Sequence, residues 1–202
     1  MEITLRILCL AAGILFGSFL AAEYVARRLT GRTARDLGSG NPGMANIMAT
    51  LGKGPGFAVL AGDVAKTVLV CALCRFAVAP QLGHTALLYA GAGAILGHNY
   101  SLFHKGHGGK GVAVTCTWLI LYLPVTGALC CLAGGFAVLV WGYLPLGAVL
   151  IPALAVPVAF VQYGAESGIV TLLAAAMMLW RHRNGLRRIF SGEEKRFFRP
   201  KS

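Results

Sequence analysis

The sequence predicts an all-α integral membrane protein of about seven transmembrane helices in one bundle, and three observations predict it. Of its 202 residues, 57% are hydrophobic and only 12% are charged, about half the charged share of a soluble domain. The apolar residues form long blocks, which read as membrane spans as they approach about 20 residues. Lys and Arg avoid those blocks: fifteen of the 18 lie in three polar segments. No polar stretch is long enough to bury a core of its own, so residues 1–202 read as a single membrane-embedded domain without a separate soluble one.

The first span runs from about Ile3 to Val25. Its weakly positive start and the lack of a small-x-small cleavage site argue for a span and against a secretion signal. A polar segment follows from about Arg27 to Pro55, within which about Pro42 to Leu51 is expected to form a short helix. The second span covers about Gly56 to Val78, and Pro80-Gln-Leu-Gly83 turns the chain into a third, from about Thr85 to Leu96. Gly97 to Gly111 is rich in Gly and His. From Val112 to about Val161 the chain is almost wholly apolar, and Pro124, Gly134-Gly135 and Trp141 to Pro145 are expected to divide it into three short helices. A last helix runs from about Ser167 to Trp180, followed by a basic tail, residues 181–202.

Charge supplies the orientation. The basic residues are Arg27, Arg28, Arg32, Arg35 and Lys53 in the first segment and Lys105 and Lys110 in the second. Arg181, Arg183, Arg187, Arg188, Lys195, Arg196, Arg199 and Lys201 form the third group. Seven spans put all three on one side, which the positive-inside rule makes cytoplasmic, with the N-terminus outside. Topology and attraction to anionic headgroups account for this charge, and no nucleic-acid partner is expected. The six cysteines lie in apolar runs and read as small buried residues, Cys71-x-x-Cys74 included.

Topology does not explain why two of the basic segments are also rich in Gly, Asn, Ser and His. The first contains Arg35-Asp-Leu-Gly-Ser-Gly-Asn-Pro-Gly-Met-Ala-Asn46. Gly38, Gly40 and Gly43 allow several N–H groups to converge, Ser39, Asn41 and Asn46 add neutral donors, and Arg35 adds charge. This is one way to hold a phosphate, although such loops are also ordinary turns. In the second, Lys110 stands among Gly106, Gly108, Gly109 and Gly111. His84, His98, His104 and His107 lie in or near this loop, but no carboxylate or cysteine pair completes a tetrahedral set, so neither metal nor other cofactor is expected. In the second span, Asp63 and Lys66 share a helix face, as a structural ion pair or a substrate-facing one. His182 near the end of the last span is either an interfacial residue or a proton-transfer group. Together these features suit a phosphorylated substrate reached from the cytoplasm and an acyl chain held in the apolar interior.

The order of motifs resembles the bacterial acyl-phosphate:glycerol-3-phosphate acyltransferase family. The matching elements are Gly17-Ser18, the Arg35 to Asn46 motif, Asp63-x-x-Lys66, Gly97-His98 with Gly108-Gly-Lys-Gly-Val-Ala113, and His182-Arg183 followed by Arg188 and Gly192-x-Glu194. The resemblance implies a seven-helix protein of the bacterial cytoplasmic (inner) membrane that transfers an acyl group from acyl phosphate to the 1-hydroxyl of glycerol 3-phosphate. It implies Ser39, Lys110 and His182 as catalytic residues. As substrate-binding positions it implies Arg35, Gly38, Gly40, Asn41, Gly43, Asn46, Asp63, Lys66, His98, Gly108, Gly109, Gly111, Asn184 and Arg188. Where the family reads Gly-Ala-Thr-Asn-x-x-Arg, this chain has Ala45 for the Thr and Ala49 for the Arg. Gly185 replaces an Asn, Pro145 a Ser and Thr67 a Gly. Two alternatives therefore stand beside the implied activity: a divergent homologue with another acceptor, and a non-catalytic protein that binds anionic lipid. A transporter is disfavoured, because no inverted repeat is evident.

Overall fold

The computed structural model describes residues 1–197; Arg199 and Lys201, assigned above to the basic tail, lie outside the described residues. Its helices are α1 (Glu2–Gly17), α2 (Ala21–Thr30), α3 (Met44–Leu51), α4 (Lys53–Leu73), α5 (His84–Asn99), α6 (Val112–Tyr122), α7 (Pro124–Trp141) and α8 (Leu144–Phe190). The described residues contain no strand. Four stretches are long and apolar enough to cross a membrane: Glu2–Thr30, Lys53–Val78, Pro124–Trp141 and Leu144–Phe190. At about 1.5 Å per residue, α5 and α6 are shorter than a full hydrocarbon core. Large apolar side chains face outward, among them Leu132 and Phe136 on α7 and Leu173 on α8, a surface suited to lipid rather than water.

The chain divides into two compact units, Met1–Trp118 and the residues from Leu119 onward. In the first, α1 packs on α5 through two pairs of small residues, Gly13 with Gly17 and Gly93 with Gly97. A Cβ at any of the four would overlap backbone of the opposite helix. In lipid, where apolar side chains gain nothing by leaving solvent, such close backbone approach supplies the packing. Trp118 closes this unit, its indole N–H donating to Leu87 O at 3.1 Å.

Four expectations are corrected. The first span is not one helix from Ile3 to Val25: it breaks at Ser18–Leu20, between α1 and α2. Bare carbonyls are costly in a membrane, and here distant side chains take them up. Lys66 donates to Gly17 O (3.2 Å) and Phe19 O (2.7 Å), and Ser101 to Ser18 O (2.6 Å). The third span continues past Leu96 to Asn99, so Gly97 and His98 belong to a helix and not to the following loop. α7 runs through Gly134-Gly135 without a break; Gly134 is where α7 meets Gly147 and Ile151 of α8. The last helix extends to Phe190, so much of the expected tail is helical, and α8 is interrupted instead at Gly164, where φ is 80°.

Candidate active site

The first glycine loop is organised by Asn46, on the opening turn of α3. Its Oδ1 accepts from Ser39 N at 2.8 Å, and its Nδ2 donates to Leu37 O at 2.9 Å and Ala34 O at 3.2 Å. Gly38 adopts φ 51° directly over this carboxamide, where a Cβ would overlap Asn46 Oδ1. Glu23, buried on α2, accepts from Ala34 N at 3.1 Å and anchors the start of the loop. Thr33 and Asp36 form a reciprocal capping box. The Thr33 hydroxyl and N–H hold the exposed Asp36 carboxyl below its ordinary range. Asn46 thus holds the loop, while Ser39, Ala45 and Ala49 are exposed.

The second glycine loop folds back on the end of α5. Gly109 N donates to His98 O at 2.9 Å. A Cβ on Gly108 would strike the Asn99 backbone, and one on Gly109 would strike His98 Nε2 and stand 3.0 Å from Pro42 O of the first loop. Arg35 joins the two loops, its Nη2 donating to His107 O at 2.7 Å and His104 O at 3.3 Å. Lys110 is half-buried within this junction. The structure therefore brings Arg35, Pro42, Gly108, Gly109 and Lys110 together with the loop carrying Ser39.

Behind the loops lies a buried polar cluster. Lys66 Nζ pairs with Asp63 Oδ1 at 2.8 Å, donates to the two α1 carbonyls and lies 2.9 Å from His98 Nδ1. An ammonium carries three protons, so this one is saturated by the protein. Asp63, Lys66 and His98 are each at most 6% exposed, and they tie α1, α4 and α5 to the base of the second loop. Ser101, having given its proton to Ser18 O, accepts from His104 Nδ1 at 2.9 Å. Partial burial holds the His104 imidazole below its usual range, so it is neutral at neutral pH.

In the second unit, His182 is buried, with Nδ1 3.0 Å from Met178 O. A carbonyl only accepts, so the proton is on Nδ1 and Nε2 is the basic nitrogen. Asn184 is exposed. Arg188 Nε donates to Glu194 Oε2 at 2.6 Å, which commits part of its guanidinium within the protein. Gly185 and Pro145, two of the departures noted above, are packed on each other: a Cβ at position 185 would lie 2.6 Å from Pro145 Cγ. Sequence reasoning missed Glu23 and Ser101. Each is a polar residue inside or beside an apolar run, and that was the only signal either one gave.

Fold and site together define a helical membrane protein with two interlocked glycine loops bearing cationic and amide groups. The chain belongs to the glycerol-3-phosphate acyltransferase family, whose model matches residues 7–192. It is 32% identical over 192 residues to glycerol-3-phosphate acyltransferase 1 of Lactobacillus johnsonii, covering 93% of this chain and 90% of that protein. Its fold matches the crystal structure of PlsY (YgiH), an integral membrane glycerol 3-phosphate acyltransferase, in its glycerol 3-phosphate form. That match has a TM-score of 0.82 and 28% identity over 95% of each chain. The lysophosphatidic acid form of PlsY matches with a TM-score of 0.79 and 25% identity, over 95% of this chain and 94% of that one.

Proposed function

We propose that this protein transfers a fatty acyl group from acyl phosphate to the 1-hydroxyl of glycerol 3-phosphate, giving lysophosphatidic acid and inorganic phosphate. The observation that supports the reading is the joining of the two glycine loops by Arg35, which donates from the first loop to His107 O and His104 O of the loop that carries Lys110. The PlsY structures in glycerol 3-phosphate and lysophosphatidic acid forms support the acceptor and product. The acyl-phosphate donor rests on the motif resemblance.

In this reading the Lys110 ammonium and the Ser39 hydroxyl hold phosphate oxygens, and Lys110 neutralises charge as the tetrahedral intermediate forms. The acceptor oxygen bonds to the acyl carbon, the bond from that carbon to the phosphate oxygen breaks, and phosphate leaves with the electron pair. The hydroxyl proton passes to a general base, a part for which the motif resemblance implies His182, and the tautomer of that residue leaves Nε2 basic. The donor is already activated, so positioning supplies much of the rate and no covalent enzyme intermediate is needed. Asp63, Lys66 and His98 support the loop from behind, their hydrogen bonds being spent on the protein. The chain works as one domain of seven spans in the bacterial inner membrane, N-terminus outside and C-terminus cytoplasmic, a reading supported by the distribution of Lys and Arg.

One observation favours a second reading. Ala45 and Ala49, which stand where the family pattern has Thr and Arg, lie one turn apart on the exposed face of α3, which suits a different phosphorylated acceptor. Membranes containing the protein, incubated with acyl phosphate and labelled glycerol 3-phosphate, separate the two. Lysophosphatidic acid lost in Lys110→Ala supports the first reading; product only with another polyol phosphate supports the second.

A further inference from the structure

The second glycine loop covers a residue that the proposed chemistry leaves unused. Asn99, the last residue of α5, is fully buried, and among the described residues neither Oδ1 nor Nδ2 of its carboxamide finds a hydrogen-bond partner. The Thr115 hydroxyl on α6 is buried and unpartnered as well. Both residues border Gly111. A Cβ there would lie 2.6 Å from Asn99 Oδ1, and Thr115 N donates to Gly111 O at 2.9 Å. Buried polar groups without partners are costly, and an apolar side chain of similar shape would remove the cost. A pair of them bordering Gly111, the residue after Lys110, marks a place where a ligand completes the hydrogen bonding.

The chemistry of the pair identifies that ligand. A carboxamide offers donors and an acceptor, and a hydroxyl offers one donor and acceptor sites, with no charge on either. An ionised phosphate oxygen only accepts, so it leaves Asn99 Oδ1 unmet and is better served by Lys110. An alcohol hydroxyl both donates and accepts. We propose that Asn99 and Thr115 form a subsite for the non-reacting hydroxyl of a polyol phosphate acceptor whose phosphate is held at Lys110. The inference rests on the acyltransferase reading above. The covering segment has left-handed residues near its ends, Lys105 (φ 54°), Gly106 (φ 74°) and Gly111 (φ 77°), and the subsite requires the Gly111 end to move away from Asn99 as the hydroxyl enters.

The test compares glycerol 3-phosphate with propane-1,3-diol monophosphate, which keeps the phosphate and a primary hydroxyl but lacks the middle one, using the full chain in lipid nanodiscs with acyl phosphate as donor. Sites built to bind a hydroxyl reject the analogue without it strongly, so the wild type prefers glycerol 3-phosphate by about 100-fold or more in kcat/KM. Asn99→Leu and Thr115→Val each reduce that preference at least about tenfold, by losing activity on glycerol 3-phosphate, with thermal stability unchanged or raised. Thr115→Val is close to isosteric and decides the matter alone if Asn99→Leu does not insert. No product from either acceptor with the wild type overturns the acyltransferase reading and the subsite with it. Equal use of both acceptors by the wild type leaves that reading standing and overturns the subsite. Variants that keep the preference, or lose stability in step with activity, also overturn it.

Discussion

Asn46 illustrates how one side chain organises a loop. Its carboxamide makes three hydrogen bonds to the first glycine loop, and Asn46→Ala strands buried backbone groups at Leu37 and Ala34. The expected loss is about 2 kcal/mol of stability, read as a lower unfolding temperature, together with a fall in activity as Ser39 loses its position. Gly185 and Pro145 form a coupled pair. A side chain at 185 collides with the Pro145 ring, so Gly185→Asn alone lowers the unfolding temperature, and adding Pro145→Ser restores it. Asp36 gives a pH dependence with a definite sign. Its carboxyl lies lower in the folded protein than its ordinary value, so the capping box contributes fully above the ordinary carboxylate range and is lost as pH falls through the folded value. The protection of the Thr33 amide against hydrogen exchange, measured by NMR relative to the intrinsic rate at each pH, falls on acidification; protection that stays constant contradicts the capping role.

Between elements, the break separating α1 from α2 depends on Lys66. The ammonium takes up the carbonyls that α1 leaves bare and neutralises Asp63. Lys66→Met removes both contributions and leaves a buried carboxylate, at an expected cost of about 3–5 kcal/mol. Pairing it with Asp63→Asn recovers part of that loss, and thermal unfolding in detergent measures both. None of this was legible from Gly17-Ser18, because the residues that repair the break lie far along the chain at Lys66 and Ser101. Helix ends were misjudged for a related reason. His98 and Asn99 are polar, so hydropathy stopped the third span at Leu96, yet their side chains turn inward and α5 continues through them. Gly134-Gly135 was expected to interrupt a helix, but in a membrane a small residue is as often a contact surface as a breaker.

At the scale of the whole molecule, the apolar blocks and the basic segments between them were legible, because exclusion of charge from lipid acts on every residue of a span. The site was legible as a set of motifs, while the division of labour within it was not. Asn46, Asp63, Lys66 and His98 bond to other groups of the protein, which only the structure reveals. The central claim is the family chemistry carried by the second glycine loop. Purified protein reconstituted in lipid with acyl phosphate and labelled glycerol 3-phosphate should yield labelled lysophosphatidic acid and phosphate in equal amounts. Lys110→Ala should lower the rate at least about 100-fold while keeping the wild-type unfolding temperature. A folded wild type that makes no product, or a Lys110→Ala variant as active as the wild type, contradicts the account.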